Sequence, residues 1–573
     1  MSSAYNPQLF MPGFNQNVME TWRHGFPNAL ERQELENSDG GMSHLVTHRE
    51  VLMMRVMNTI TEKPQWDQKV FHKDITAKWG DKIVQSGQDV TPNMMDWIIK
   101  ELQFKSHILQ ATGYVCVFDV GVIKSDTAVS KDIQQALKEA VKPLEDMPEK
   151  DYHPGSDGKM VDLVHPSLFP VINGQTRVLP DRVIDLDGCL GSMGQGDIIP
   201  IPSSKDCVLD SQEYYNHQFM FSDFSNKFQW LPCDVELIDN AHPVHHKSLY
   251  EVVEKIIARA ISLWSRSLPT TYPRRIEYNM VEYDEHPDPE PVPSDYDSDF
   301  DEDDFHEVHD EWQRAHPIIR PEPDNFQPQQ EWHSTDLQMQ FPNMKLQIIV
   351  KLANIELSPE KPNYEGGSWH IEGQLNERIC ATAIYHYDSQ NITDNSLAFR
   401  QRGMMNMDEI DNEYGRFEFL HAVFGFGEDV EGLGSNRDIT QNLGAVLCKE
   451  GRLLTFPSTV QHRVSPFSLV DPSKPGHRKI LTPFLVDPHR RIISSANMPP
   501  QREDWGYERQ NAVEQALADL PLELQNIVRG DLEPLMTMKK AKEYRLELME
   551  ERGLRSGKHN EYFDEGEFSL CEH

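Results

Sequence analysis

Apolar residues recur every three to four positions between residues 47 and 110, which is the spacing of helices with one buried face. THREVLMMRVMNTITEK opens on Thr47 with Glu50 three places on, a capping-box spacing ahead of an apolar stripe. TPNMMDWIIKELQFKSHILQ, from Thr91, predicts a second amphipathic helix. The period then shortens: GYVCVFDVGVIKSD, from Gly113, is β-branched and aromatic and predicts a strand pair. KSLYEVVEKIIARAISLWSRSL, Lys247 to Leu268, returns to helical spacing. From Met344 the texture becomes short apolar runs broken by Gly, Pro and Asn: KLQIIVKLANIEL, RICATAIYHYD, GRFEFLHAV, RLLTFP, HRVSPF and RKILTPFLVD. Close-spaced strands without intervening helices predict a sandwich or barrel. MKKAKEYRLELMEERG, from Met538, predicts a charged helix packed on that sheet domain.

Between Glu282 and Glu311 this patterning stops, and 15 of 30 residues are Asp or Glu with no Lys or Arg. Such a segment buries too little apolar surface to offset its ordering entropy and is expected to be a disordered linker or insertion. DSDFDED, from Asp297, starts like a calcium loop, but Glu302 and Val308 stand where the glycine and the bidentate glutamate belong. The expected organisation is an α-rich region over 1–275, an acidic linker over 276–335, a strand-rich domain over 336–498 and a helical extension over 499–573.

Composition narrows the function classes. A formal charge of −37 disfavours nucleic-acid binding, which needs a basic footprint. No window approaches a membrane span, and the first residues lack the charged and apolar blocks of a signal peptide, so an intracellular protein, cytoplasmic or nuclear, is expected. Seven scattered cysteines without a CxxC fit reduced thiols. The sequon at Asn391 is read as a chance match.

The candidate chemistry lies in GGSWHIEGQLNERICATAIYHYD, Gly366 to Asp388. Residues i and i+2 of a strand share a side, so His370 and Glu372 face one interior. Ninety residues after Glu372, His462 opens a strand, and Arg478 follows sixteen residues later on the next. Two imidazoles and one carboxylate on one face leave coordination sites open for substrate and oxygen. An arginine on a neighbouring strand suits the far carboxylate of a co-substrate.

This ordered set resembles the Fe(II)- and 2-oxoglutarate-dependent dioxygenases, whose double-stranded β-helix (jelly roll) carries His-x-Asp/Glu, a distal His and a basic residue. GRLLTFPSTVQHRVSPF is similar to the run before their distal histidine, and RICATAIYHYD resembles a strand of the prolyl hydroxylases. The resemblance implies an α+β fold with a jelly-roll core, and His370, Glu372 and His462 as ligands of Fe(II). Arg478, His386 and Thr382 would then serve 2-oxoglutarate, with O2 as the other co-substrate and hydroxylation or demethylation of a small-molecule or protein substrate as the outcome. Glu372 replaces the usual aspartate, as in the jumonji-type branch, and His386 stands where prolyl hydroxylases place a tyrosine. More broadly, KLQIIVKLANIELSPEKPNYEGGSWHIEG, LVHPSLFP and FQWLPCDVE resemble a large fungal family catalogued as a domain of unknown function, four-two-four-six.

Two rival readings stay open: a jelly-roll scaffold without turnover, and a cupin-like metalloenzyme that uses no 2-oxoglutarate. HPVHHK, from His242, is expected to start the following helix rather than bind zinc, and His306 and His309 to belong to a solvated acidic run. GFGEDVEGLG, Gly425 to Gly434, is too acidic for a phosphate loop. Arg463 should point outward, and Lys351 and Asn354 are candidates for lining the pocket. No nucleophile elbow supports hydrolase chemistry.

Overall fold

A computed structural model gives the fold and describes residues 25–30, 43–179, 183–186, 188–202, 225–233, 238, 241–268, 274–286, 288–292, 302–328, 335–342, 344–404, 410–413, 416–427, 437–506, 517–518, 520–525 and 535–566. Cys207, Cys571, most of the acidic DSDFDED run and most of GFGEDVEGLG lie outside these residues.

The strands that matter are β1 (Ser43–His44), β2 (Val115–Phe118), β3 (Val122–Ser125), β4 (Met160–Val164), β5 (Ile348–Leu357) and β6 (Ile379–Gln390). They continue with β7 (Ser396–Met404), β8 (Thr440–Leu447), β9 (Leu453–Pro457), β10 (Val460–Val464) and β11 (Gly476–Val486). The helices are α1 (His48–Thr61), α2 (Lys73–Gln85), α3 (Pro92–Thr112), α4 (Lys131–Glu145), α5 (Lys247–Ser267), α6 (Glu302–Arg314) and α7 (Met538–Asp564).

The helix starts follow the sequence. Thr47 Oγ1 accepts the N–H of Glu50 at 3.2 Å, and Thr91 Oγ1 accepts that of Met94 at 3.2 Å. Thr47 caps α1, but Glu50 does not close a capping box. Its buried carboxylate instead accepts the backbone N–H of Arg275 at 2.8 Å. Arg275, itself buried, also donates to Glu101 at 2.6 and 2.7 Å and to Asp119. One cation therefore ties α1 and α3 to the end of β2.

A seven-stranded sheet runs β2-β3-β9-β6-β11-β5-β4 and is antiparallel throughout. In the second sheet β7 lies between β8 and β10, with β1 added in parallel. The molecule is thus mixed α and β, built on antiparallel sheets. β6 shows how the large sheet is covered. Ala381, Ala383, Tyr385 and Tyr387 pack with Leu137 of α4 and Ile256, Leu263 and Trp264 of α5. Ile384, on the opposite face, packs with Phe399 of β7, Leu443 of β8, Phe456 of β9 and residues of α1 and α3. A β-strand alternates sides, so one apolar-rich segment serves two cores, each large side chain contributing ~1.5–3 kcal/mol of burial.

β2 and β3 pair with β9, and β4 pairs with β5, so the strands within the first 275 residues join the sheet of the strand-rich region. Three expectations change. GRFEFLHAV is not a strand: Phe419–Ala422 is a helical turn. Phe417, Leu420 and Phe424 recur at three- and four-residue spacing and fill a small core with Leu45 and Tyr278. The acidic segment runs into a helix, α6, and ring contacts join the end of that helix and His316 just beyond it to residues 283–286. Trp312 lies 4.6 Å from His286, and Tyr283 stacks on His316 at 5.1 Å. Finally, Asn354 faces the helices, not the space between the sheets: it donates to Glu145 at 2.7 Å and accepts from Tyr387 at 3.1 Å.

His246 is the residue before α5, and Val244 and His245 donate backbone N–H groups to His242 Nδ1. The side chain of Asn391 donates to the carbonyls of Asp471, Lys474 and Pro475, so it braces a turn. Among the described residues no helix is long and apolar enough to cross a membrane.

Candidate metal centre and anion pocket

The chain reaches β10 through two glycines. Gly366 has φ +91°, and a Cβ there would meet the Val464 carbonyl at 2.9 Å. Gly367 N–H donates to that same carbonyl at 2.9 Å. The pairing continues to His370 and His462, which exchange backbone hydrogen bonds of 3.2 and 3.1 Å. Directly opposed residues of an antiparallel pair share a face, and the two rings lie 4.3 Å apart. Glu372, two residues on, joins that face. Its Oε1 stands 3.6 Å from Nε2 of both imidazoles.

At 3.6 Å neither contact is a hydrogen bond. Two donors that each sit ~2.1 Å from one divalent ion stand ~3–3.5 Å apart, close to this spacing. His370 Nδ1 faces the Ser368 carbonyl at 2.9 Å, which keeps a proton on Nδ1 and makes Nε2 the atom available to a metal. Burial lowers this imidazole, but Glu372 outweighs it and raises the ring above its ordinary range, so Nε2 must release a proton on binding an ion. Burial pushes the Glu372 carboxyl up, but the neighbouring imidazoles outweigh it and hold the group well below the usual carboxylate range. Burial, helped by His370, pushes His462 down to about 4, so its imidazole is neutral as a ligand must be. His370 and Glu372 keep 34% and 14% of their side-chain surface exposed, against 3% for His462, so the group opens to one side. Among the described residues these three form one of two groups with metal-ligating side chains drawn together.

The second group, His153, Asp162 and His165, has a different character. His165 Nδ1 accepts the Ser167 N–H at 3.1 Å, so the neutral imidazole carries its proton on Nε2 and has no lone pair to give there. Arg545 stands 3.7 Å from Asp162 and supplies a positive charge without an ion.

Arg478 is buried, and its nearest partner is the Cys448 thiol at 3.8 Å. Its Nε has no partner, and among the described residues no carboxylate comes within ion-pair distance. His386 lies beside it with both ring nitrogens buried and unpaired. Burial first, then the charges of Arg478 and Arg452, hold His386 well below the ordinary imidazole range and hence neutral. Thr382 is not brought to this pocket. It pairs with Phe484 and Phe456, six positions along β11 from Arg478, or roughly 20 Å. Phe456 packs 4.7 Å from the His462 ring, which places Thr382 toward the metal end. Arg463 points outward, its guanidinium 4.5 Å over the Trp369 ring.

No local pattern in the sequence marks what braces this edge. Asn560 of α7 donates to the Trp369 carbonyl at 3.0 Å and accepts from Gln461 Nε2 at 2.8 Å. Trp369 and Gln461 immediately precede the two histidines, so one amide ties both ligand strands together. Arg552 of α7 stacks 3.6 Å over Trp230 and pairs with Glu377, which accepts the Gln374 N–H at 2.8 Å just after Glu372. Asn560→Ala is expected to weaken metal affinity by roughly 10–100-fold while changing Tm little. Calorimetric metal titration beside a thermal melt checks this, and equal affinities would show that the brace does not position the ligands.

Residues 92–509 match the family described as "Protein of unknown function (DUF4246)", and residues 11–82 match its N-terminal domain. The chain belongs to the DUF4246 family. Both halves of the metal group, Arg478, and strands β2 to β11 lie within the matched DUF4246 region. No curated protein matches the chain. Among solved structures, one described as "Crystal structure of IDO from Bacillus thuringiensis" is 9% identical and covers 67% of this chain and 93% of its own, with a TM-score of 0.23.

Proposed function

We propose that this DUF4246 protein is an Fe(II)- and 2-oxoglutarate-dependent dioxygenase that hydroxylates or demethylates its substrate, with succinate and carbon dioxide as co-products. The observation that carries the reading is a buried guanidinium, Arg478, with no carboxylate partner among the described residues, in the same inter-sheet space as a two-histidine, one-glutamate group. A buried cation left unpaired is costly, and a bound dicarboxylate removes that cost. Strand order supports a jelly-roll core. Taken along the chain, segments 348–357, 363–370, 379–390, 396–404, 440–447, 453–457, 460–464 and 476–486 fall in the orders first-eighth-third-sixth and second-seventh-fourth-fifth. That is the order of a double-stranded β-helix.

His370, Glu372 and His462 would hold the metal from one side, leaving the other open. When bound, Fe(II) would supply activation of O2, with O2 as the oxidant and 2-oxoglutarate as its two-electron co-reductant, one oxygen atom passing to succinate and the other to a substrate C–H. The chain's own residues bind and orient. Arg478 pairs the far carboxylate of 2-oxoglutarate, and neutral His386 offers it an N–H from the neighbouring strand. Ile384, Leu454, Phe456 and Ile480 line the same core and keep water away.

Anaerobic titration of the Fe(II)-loaded protein with 2-oxoglutarate tests this, read by the visible charge-transfer band and then by succinate on admitting oxygen. Arg478→Met is expected to weaken 2-oxoglutarate binding by roughly 100-fold with metal affinity unchanged. No metal-dependent binding of 2-oxoglutarate and no succinate, even uncoupled from substrate, would overturn the reading.

A further inference from the structure

Lys351 is the second cation of the inter-sheet space. It opposes Thr482 in β11, and four positions along β5 Ile355 opposes Arg478, so alternation puts Lys351 and Arg478 on one face. Asp162 opposes Ala353 from β4 and shares that face. Lys351 is half-buried, yet among the described residues no carboxylate lies within ion-pair distance of its ammonium and no hydrogen bond holds it. Its charge acts on His370, Glu372 and His462 on one side and on Asp162 and His165 on the other. The ammonium therefore lies near both the metal group and the Asp162–His165 pair, and among the described residues it contacts neither carboxylate.

Charge defines what fits there. Fe(II), Arg478 and Lys351 are opposed by Glu372 and a dianionic 2-oxoglutarate, which leaves one positive charge in a space shielded from water. Asp162 and Asp151 are together matched by Arg545 and Lys542, with Arg545 closest to Asp151. A single carboxylate closes the balance, whereas a phosphate monoester exceeds it. The unpaired, buried Oδ1 of Asp162 offers an acceptor beyond the ammonium for a donor on the same molecule.

We propose that Lys351 anchors a carboxylate of the substrate, so that the substrate is a monocarboxylic acid seated between the metal group and Asp162. This rests on the dioxygenase reading for the identity of the site. The keto-acid end of 2-oxoglutarate carries the same chemistry, and the test separates the two sources. Full-length protein loaded with Co(II) is titrated without oxygen with hexanoate and with hexanamide, in the presence and absence of 2-oxoglutarate, read by the Co(II) visible spectrum. Hexanoate is expected to bind roughly 10-fold or more tightly than the amide. Lys351→Met should bring hexanoate to the amide level and leave 2-oxoglutarate affinity unchanged, while Lys351→Arg keeps the preference. Equal binding of the two probes, hexanoate binding unchanged in Lys351→Met, or loss of 2-oxoglutarate binding in that variant overturns the proposal. Failure of 2-oxoglutarate to bind at all sinks the functional reading instead, because hexanoate preference is still read on the metal-loaded protein alone.

Discussion

Glu372→Gln is expected to abolish succinate formation from 2-oxoglutarate and to lower Fe(II) affinity by more than the roughly 100-fold that loss of a supporting contact costs. Glutamine keeps the length and shape of the side chain and removes only the charge. Glu372 is the sole anion of the group, and its Oε1 is equidistant from both imidazoles, so the charge sits where a cation would. Two neutral imidazoles alone make a weak site for a hard divalent ion. Folding should survive, since the backbone ladder between His370 and His462 does not depend on this carboxylate. Metal titration, succinate assay and far-UV circular dichroism on the same preparation settle the point; retained Fe(II) affinity would remove Glu372 from the ligand set.

The largest expected effect on stability lies far from that site. Arg275→Leu is predicted to cost about 3–5 kcal/mol, because it removes the cation from Glu50 and Asp119 and leaves Glu101 with Lys105 alone. Glu50 and Glu101 are both buried, and Asp119 completes the set. Urea denaturation at pH 7 measures the loss, and a cost under ~1 kcal/mol would mean that the acids find water or other partners. The same cluster carries a pH signature. Burial, against the pull of Arg275, raises the Glu50 carboxyl from 4.5 to about 7. The folded state therefore binds the extra proton, so this contribution is complete below about pH 4.5 and is lost as pH rises through 7. Unfolding free energy should fall across pH 5–8, and Glu50→Gln should flatten that slope. An unchanged slope in the variant would assign it to another group.

How much of this was legible along the chain depended on sequence distance. Thr47 and Thr91 announce α1 and α3 because a cap and its helix are neighbours. His370, Glu372 and His462 are brought together as their order in the sequence led one to expect, although His462 is the third residue of β10 rather than its first and Glu372 lies in a bend just past the His370 bridge. The role of Glu50 was not legible: its spacing from Thr47 satisfied a local rule while its carboxylate went to a partner 225 residues away. Asn354 and Lys351 look alike on paper, and only the face of β5 each occupies separates a helix contact from a site residue. In GRFEFLHAV, Phe417 and Phe419 alternate like a strand, and only Leu420, Val423 and Phe424 reveal the helical period. No local period marks Asn560, whose two partners are 99 and 191 residues upstream.

That last distance has a consequence for how the site comes into being. Asn560 is made 98 residues after His462. At ~5–20 residues per second, a ribosome completes the ligand set roughly 5–20 s before it completes the brace. During that interval the emerging β10 edge has its imidazoles but not the amide that ties them. The order of synthesis thus gives a nascent chain a brief period in which the metal group is accessible from the side that α7 later covers.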